Sequence, residues 1–358
     1  MSYLTIVILI FSVLGAIDKM FGNRLGLGKE FEKAFMLIGT MALSMIGMIV
    51  ISPVIAQIMK PVSEIFTNML HIDASIIPAS LFANDMGGAP LAVEMASSER
   101  IGFFNALVVS SMMGCTVSFT IPFALGLVDK RQHKELLLGL LCGIVTIPIG
   151  CFVSGIMCKI PVISLLWLLM PIIVFSGIIA FGIVRFPVLC IKVFKLFGTF
   201  ITVLITFGLA LGIIKFLTGF EVVKGIATLE EGASICVNAA VVLSGSFPLM
   251  YILSKGMAKP LKVIAEKIGV NEQSVIGIIS CIATSATTFG MMEKMDRKGI
   301  VLNSAFAVSG AFVLGGHLAF TMAFNSEYVL PVIVGKLTSG ILALFLANII
   351  FKKTQNYI

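Results

Sequence analysis

Nine stretches of about 20 or more largely apolar residues follow one another along the chain, at 3–22, 34–59, 101–127, 136–157, 160–184, 197–217, 233–254, 300–325 and 330–351. A helix crosses the hydrocarbon core of a bilayer in roughly 20 residues, so each stretch is long enough to span. In lipid the backbone must satisfy its own polar groups, and consecutive runs of this length therefore specify helices rather than open sheets. Only 12% of the 358 residues are charged, where a soluble surface uses about 25%, and the mean hydropathy is +1.10. These features predict an all-α polytopic membrane protein and exclude a set of soluble domains.

The net charge of +7 does not point to nucleic acid, because the 25 Lys and Arg residues lie in short clusters between apolar runs and form no basic tail. Cys115, Cys142, Cys151, Cys158, Cys190, Cys236 and Cys281 all sit in or at the ends of apolar segments without CxxC spacing, and read as small buried thiols. The run from Tyr3 to Ile17 has no basic region before it and no small-residue cleavage site after it, so it reads as the first span. No Walker loop, HExxH, GxSxG or paired Cys/His spacing occurs. The expectation is a protein that is not an enzyme, holds no metal or cofactor, and has membrane lipid and a small molecule as its partners.

Two further stretches, 74–93 and 273–292, are long enough to cross but carry polar and small residues near their middles. They read either as full crossings, giving 11 spans, or as re-entrant hairpins, giving nine spans plus two hairpins. Short cytoplasmic loops retain Lys and Arg, and orientation alternates at every true crossing. With both stretches re-entrant and the N-terminus outside, 19 of the 25 basic residues fall on the cytoplasmic side, among them Lys19, Lys130, Arg131, Lys192, Lys259, Arg297 and the tail pair Lys352-Lys353. Lys60, Arg100, Lys159, Lys215 and Lys224 fall outside, and Lys336 lies within a span. The sequence thus favours nine spans and a cytoplasmic C-terminus.

The chain also repeats itself. Lys60-Pro61, Ser75, Ile77, Glu94 and Ser110 match Lys259-Pro260, Ser274, Ile276, Glu293 and Ser309 at one offset of 199 residues. The predicted organisation is a first repeat over 1–158, a linking helix and amphipathic connector over 159–196, and a second repeat over 197–358. In the nine-span arrangement the repeats have opposite orientation. Inverted repeats with interrupted helices are the sequence signature of secondary transporters, whose site lies near the midplane and is exposed alternately to each side. Hairpin transporters of this layout are often homodimers, so a second copy of the chain is an expected partner.

The first interruption reads Asn84-Asp85-Met86-Gly87-Gly88-Ala89-Pro90. An Asp at the bilayer centre costs roughly 2.5–3.5 kcal/mol unless partnered. It would either hold a bound cation, substrate or ion, or cap the start of a half-helix with its carboxylate. Gly87 and Gly88 permit a close turn, and Pro90 suits the first turn of the returning half. The matching interruption offers the hydroxyls of Thr284, Ser285, Thr287 and Thr288, which either ligate an alcohol or small ion or bond back to their own helix. Asn238, followed by Ser244, Ser246 and Pro248, marks a span expected to bend. His317 reads as a ligand or as a hydrogen-bonded packing residue, and Ser118 lies at comparable depth in the first half. Glu94 and Glu293 sit where the interrupted stretches end and read as gates or solvated charges, while Trp167 and the Met-rich runs read as packing.

The strings DMGGAPLAVEMA (85–96), MMGCTVSFTIPFALG (112–126), GIVTIPIG (143–150), NSAFAVSGAFVLGGHLAF (303–320) and VGKL (334–337) resemble the ethanolamine permeases of ethanolamine-utilization operons, the EutH family. The resemblance covers nearly the whole chain. It implies an inner-membrane protein that admits ethanolamine for lyase chemistry housed in a cytosolic microcompartment. Some members have Asp at the position of Gly316 and an Asn pair at Thr284-Ser285; if that Asp helps bind the cation in them, the resemblance implies that this chain either relies on Asp85 or binds differently. For such a substrate Asp85 and carbonyls at the helix breaks would hold the ammonium, while Asn84, Thr284, Ser285 or Asn238 would engage the hydroxyl. The alternative is an ion-coupled transporter or channel-like facilitator for another small amine or polar solute.

Overall fold

The computed structural model describes residues 3–70, 72–256 and 265–354. The repeat pair Lys259-Pro260 lies outside the described residues. Within them the chain is helical and contains no strand. Its helices are α1 (Tyr3–Met20), α2 (Leu27–Met36), α3 (Ile38–Leu70), α4 (Ile76–Leu81), α5 (Gly88–Met95), α6 (Glu99–Leu127), α7 (His133–Met157), α8 (Val162–Arg185) and α9 (Pro187–Thr218). They continue as α10 (Leu229–Gly256), α11 (Glu272–Ala283), α12 (Ser285–Gly290), α13 (Arg297–Ser309), α14 (Gly316–Phe324) and α15 (Val329–Thr354).

Among the described residues, eight helices are long and apolar enough to cross a membrane. The ninth predicted span, 300–325, is instead two helices, α13 and α14. Between them the N–H groups of Phe312 and Leu314 donate to the carbonyls of Cys281 and Ile282 at 3.0 Å each. The backbone thus satisfies its polar groups against the end of α11 in place of its own preceding turn, which permits an interruption at membrane depth. Gly315 sits so close to Ala283 that a Cβ would lie 2.0 Å from its carbonyl oxygen. One further difference is local: residues 187–196, read as a connector, are the first turns of α9. The α10 helix runs through Asn238 and Pro248 without an unwound turn.

Outward faces of α8 and α9 expose Ile163, Trp167, Phe181, Phe200 and Val203, which suits lipid contact. The interior is built on α6, whose turns widen to π geometry over Phe104–Gly114 and Thr116–Thr120 and are buried almost throughout. Such π segments are uncommon and occur often at functional positions. Polar contacts sort the loops onto two faces. On one, Arg100 donates to the Lys159 carbonyl at 3.3 Å and Tyr328 donates to the Arg100 carbonyl at 3.3 Å. On the other, Gln132 donates to the Met292 carbonyl at 3.1 Å and Arg297 pairs with Glu135 at 2.6 Å.

Candidate functional site

Each interrupted segment doubles back, held by a carboxylate at its base. Asp73 accepts from the backbone N–H of Ser75 at 3.0 Å and of Ser97 at 2.9 Å, and from both hydroxyls, so the two ends of the first segment meet. In the second segment Asp296 accepts from the N–H of Asn271 at 2.9 Å and from Ser274 Oγ at 2.8 Å. A buried asparagine braces each base from the next helix: Asn105 Nδ2 donates to Ser75 Oγ at 2.7 Å, and Asn303 Nδ2 to the Ser274 carbonyl at 2.8 Å. Sequence reasoning singles out neither carboxylate and neither asparagine. The asparagines lie 30 and 29 residues after the matched serines, a near-constant spacing that could have found them, whereas the carboxylates, 2 residues before Ser75 and 22 after Ser274, share no such spacing.

At the tip of the first segment, α4 ends at Leu81 and a 3₁₀ turn over Asn84–Met86 leads to α5. Ser118 Oγ accepts from the N–H of Ala83 at 3.0 Å and donates to the Gly114 carbonyl at 2.8 Å, so it supports the break and has no donor to spare. Gly87 has φ +97°, and a Cβ there would lie 1.8 Å from Met48 Cγ, so only glycine fits this turn. Gly88 packs against Ser110 and the Phe82 carbonyl. No side-chain hydrogen bond caps the start of α5, so the Asp85 carboxylate does not serve as its cap. Asn84 is wholly buried, and both its amide nitrogen and its amide oxygen lack a hydrogen-bond partner. Leaving a buried polar atom unpaired costs about 1–3 kcal/mol, so the unused amide of Asn84 at the helix break makes it a candidate ligand-binding group.

The 3₁₀ turn carrying Asn84 and Asp85 packs against α3, α6 and α14. Facing it is a residue that sequence reasoning places only as lying within a span. Lys336, on α15, is 1% exposed, and its Nζ donates to the Ser111 carbonyl at 2.7 Å and meets His317 Nδ1 at 3.1 Å. An ammonium only donates, so Nδ1 of His317 accepts and the ring proton resides on Nε2. The helix of Lys336, α15, packs on α6 and α14, the helices that the 3₁₀ turn of Asp85 also meets, and among the described residues no direct ion pair joins Lys336 to Asp85. A single lysine inside an otherwise apolar span is the available signal, because intramembrane charges are rarely incidental.

The other predicted residues divide. Ser285 is buried with its hydroxyl unpartnered. Thr284 caps α12 by accepting from the N–H of Ala286 at 3.3 Å, and Thr288 donates to the Gly277 carbonyl at 2.8 Å. Both therefore serve their own segment. Thr287, Glu94 and Glu293 are exposed. Asn238 is also exposed, on the face of α10 opposite the buried Cys236, Ala239 and Ala240, so the structure does not bring it to Asp85. Helical periodicity explains this, since a residue two positions from Cys236 points the other way.

Aromatic rings close the centre on both sides. Ser111 lies about two turns along α6 from Phe103 in one direction and from Phe119 in the other. Phe103 packs with Phe324 and Tyr328 at ring separations of 6.1 and 5.7 Å. Phe119 packs with Phe123 and Phe312 at 5.0 and 5.7 Å, and Phe312 lies 4.9 Å from the His317 ring. Beyond the first layer a cavity of about 930 Å³, lined by Glu99, Arg100, Phe103, Lys159, Glu327 and Tyr328, opens at the protein surface and does not reach Asp85.

Fold and site together define a class: an all-α multi-pass membrane protein whose broken helices meet around a buried cluster of charged and polar side chains. Within that class the chain belongs to the EutH family, since the family model described as "Ethanolamine utilisation protein, EutH" matches residues 1–350. It is 41% identical over 350 residues to the "Probable ethanolamine permease EutH" of Listeria monocytogenes serotype 1/2a (strain 10403S), covering 97% of this chain and 94% of that protein. It is 34% identical over 358 residues to the protein of the same name from Salmonella typhimurium (strain LT2), covering 93% and 88%. It is also 36% identical over 335 residues to the "Uncharacterized protein YxeR" of Bacillus subtilis (strain 168), covering 93% and 90%. No solved structure matches the chain.

Proposed function

We propose that this protein is an ethanolamine permease of the cell membrane and that its substrate site is the broken tip of the first doubled-back segment. The observation that carries this reading is Asn84: a wholly buried amide with neither donor nor acceptor used, adjacent to the intramembrane carboxylate Asp85. An amino alcohol supplies what the pair lacks. Its ammonium matches Asp85, and its hydroxyl, both donor and acceptor, matches the two ends of the Asn84 amide. The names of the relatives support the same substrate.

Transport follows by alternating access. The two doubled-back segments act as re-entrant hairpins of inverted repeats, the first based on the face of Arg100 and Tyr328, the second on the face of Gln132 and Arg297. The repeats run over 1–158 and 197–358, with the N-terminus outside and the C-terminus in the cytoplasm. Aromatic layers on either side of Lys336 and His317 support a carrier that opens one side at a time over an open channel. The test is counterflow of labelled ethanolamine in proteoliposomes of wild type and Asp85→Asn. Trans-stimulated exchange in the wild type, lost in the variant, is expected; uptake unaffected by the substitution would sink the site assignment.

A further inference from the structure

We propose that Lys336 is a resident stand-in for the substrate's ammonium, and that a bound primary ammonium drives one proton off the lysine and out of the protein. The inference rests on the substrate reading above and goes beyond it, because it makes binding an exchange of one cation for another.

The geometry is that of a binding niche already filled from within. The Lys336 ammonium is chemically the same group as the head of a small primary amine, and it is held as such a head would be, by a main-chain carbonyl on one side and a neutral imidazole nitrogen on the other. Those contacts use two of its three hydrogens, and the nearby carboxylate is Asp85. The titratable groups around Lys336 are Asp85 from the 3₁₀ turn, His317 from α14, Cys115 from α6, Cys281 from α11 and Cys151 from α7. Asp85 is the one carboxylate among them. The centre therefore balances one positive charge with one negative charge when no substrate is present. A second cation brought to Asp85 in a site closed from water meets unscreened repulsion from Lys336, so either the ammonium is refused or the lysine gives up its charge.

His317 supplies the route. Its Nδ1, 3.1 Å from Nζ, takes the lysine proton while the proton on Nε2 leaves to the aqueous side, so the ring ends neutral with its proton on Nδ1 and the amine of Lys336 ends neutral. The proton count balances: one ammonium bound, one proton released, and the site returns to the charge it had before binding. The sequence context fits this role, since Gly335 packs tightly on Gly150 and Ser154 and fixes the turn of α15 that aims Lys336 inward.

The experiment is calorimetric titration of the full-length protein in lipid nanodiscs with ethanolamine, repeated near neutral pH in two buffers of different ionisation enthalpy. The wild type is expected to release about one proton per ethanolamine bound. Lys336→Gln should bind within about tenfold of wild type with proton release abolished. Lys336→Arg, whose guanidinium cannot give up its proton, should lose binding by at least about tenfold. Binding by the wild type without proton release overturns the proposal while leaving the substrate reading intact. Proton release that persists in Lys336→Gln overturns it as well, because the proton then comes from the amine itself, as does wild-type affinity in Lys336→Arg. No binding of ethanolamine to the wild type overturns the substrate reading and this proposal together. The wild-type proton count needs no variant, so the proposal stands or falls even if a substituted protein fails to fold.

Discussion

The two doubled-back segments share a scaffold and differ in chemistry. Both are tied at the base by an aspartate, Asp73 or Asp296, and both are braced by an asparagine from the following helix, Asn105 or Asn303. At the tips the likeness ends. The first breaks through a left-handed glycine and presents a buried amide and a carboxylate with few protein partners. The second breaks at Thr284, which caps the next helix, and its carbonyls at Cys281 and Ile282 are taken up by the interruption between α13 and α14. The helix following each segment differs in step: α6 stays continuous through π turns, whereas its counterpart parts into α13 and α14 and delivers His317 to the centre. Two segments with the same bracing at their bases thus carry different chemistry at their tips, which is why the proposed site draws its ligand groups from the first alone.

The sharpest way to break this comparison is to neutralise one tip at a time. Asp85→Asn should reduce ethanolamine affinity by about 2–3 kcal/mol, roughly 30- to 150-fold, as expected for loss of a charge-assisted contact. Ser285→Ala in the second tip should cost less than about tenfold. Equal losses in a side-by-side uptake assay would mean that both tips bind substrate.

Backbone strain should separate the tips next. Gly87→Ala forces a side chain into left-handed geometry against Met48, and should destabilise the protein by about 2–3 kcal/mol, seen as a lower unfolding midpoint in detergent. Thr284→Ala removes only a cap, worth about 1 kcal/mol in the same measurement. The bases, by contrast, should behave alike: Asp73→Ala and Asp296→Ala should each cost about 2 kcal/mol, since each strips charge-assisted bonds from a chain return. A marked difference between them would undo the claim of a common frame.

The smallest effect concerns the loop between α6 and α7. Hydrogen bonding to Arg131 holds the Asp129 carboxyl down at about 2, below its ordinary 3.8. A depressed folded value means that the contact stabilises above about pH 4 and is lost as pH falls from about 4 towards 2. Wild type should therefore lose a small increment of stability over that window that Asp129→Asn does not. Both side chains are solvent-exposed, so identical acid profiles for the two proteins would show the pair to be energetically silent.

Much of this is legible in the amino-acid order. Eight of the nine apolar runs are long helices because hydrophobic length acts locally, and Asp85 stands out because a carboxylate in such a run is costly. The interruption at 310–315 is not legible, since Phe312 and Leu314 find their acceptors on a different segment. Asn238 looks as polar as Asn84, yet helix phase turns it outward. Thr284, Ser285, Thr287 and Thr288 look equivalent as hydroxyls, and only packing distinguishes the unpartnered Ser285 from two that serve their own segment and one that is exposed.

Residue order alone establishes that the chain lives in a membrane, where most of its helices lie, where two segments break, and which family it resembles. Those properties follow from transfer energies that add along the chain and from strings of residues read in order. Which of the polar residues meet is a matter of packing. Lys336 and Asp85 stand far apart in sequence and share no motif, and their approach is a consequence of how α15 packs on α6 and α14. Charge at membrane depth is tolerated only where distant segments supply its partners, so the partnering is a property of the fold and not of any local stretch.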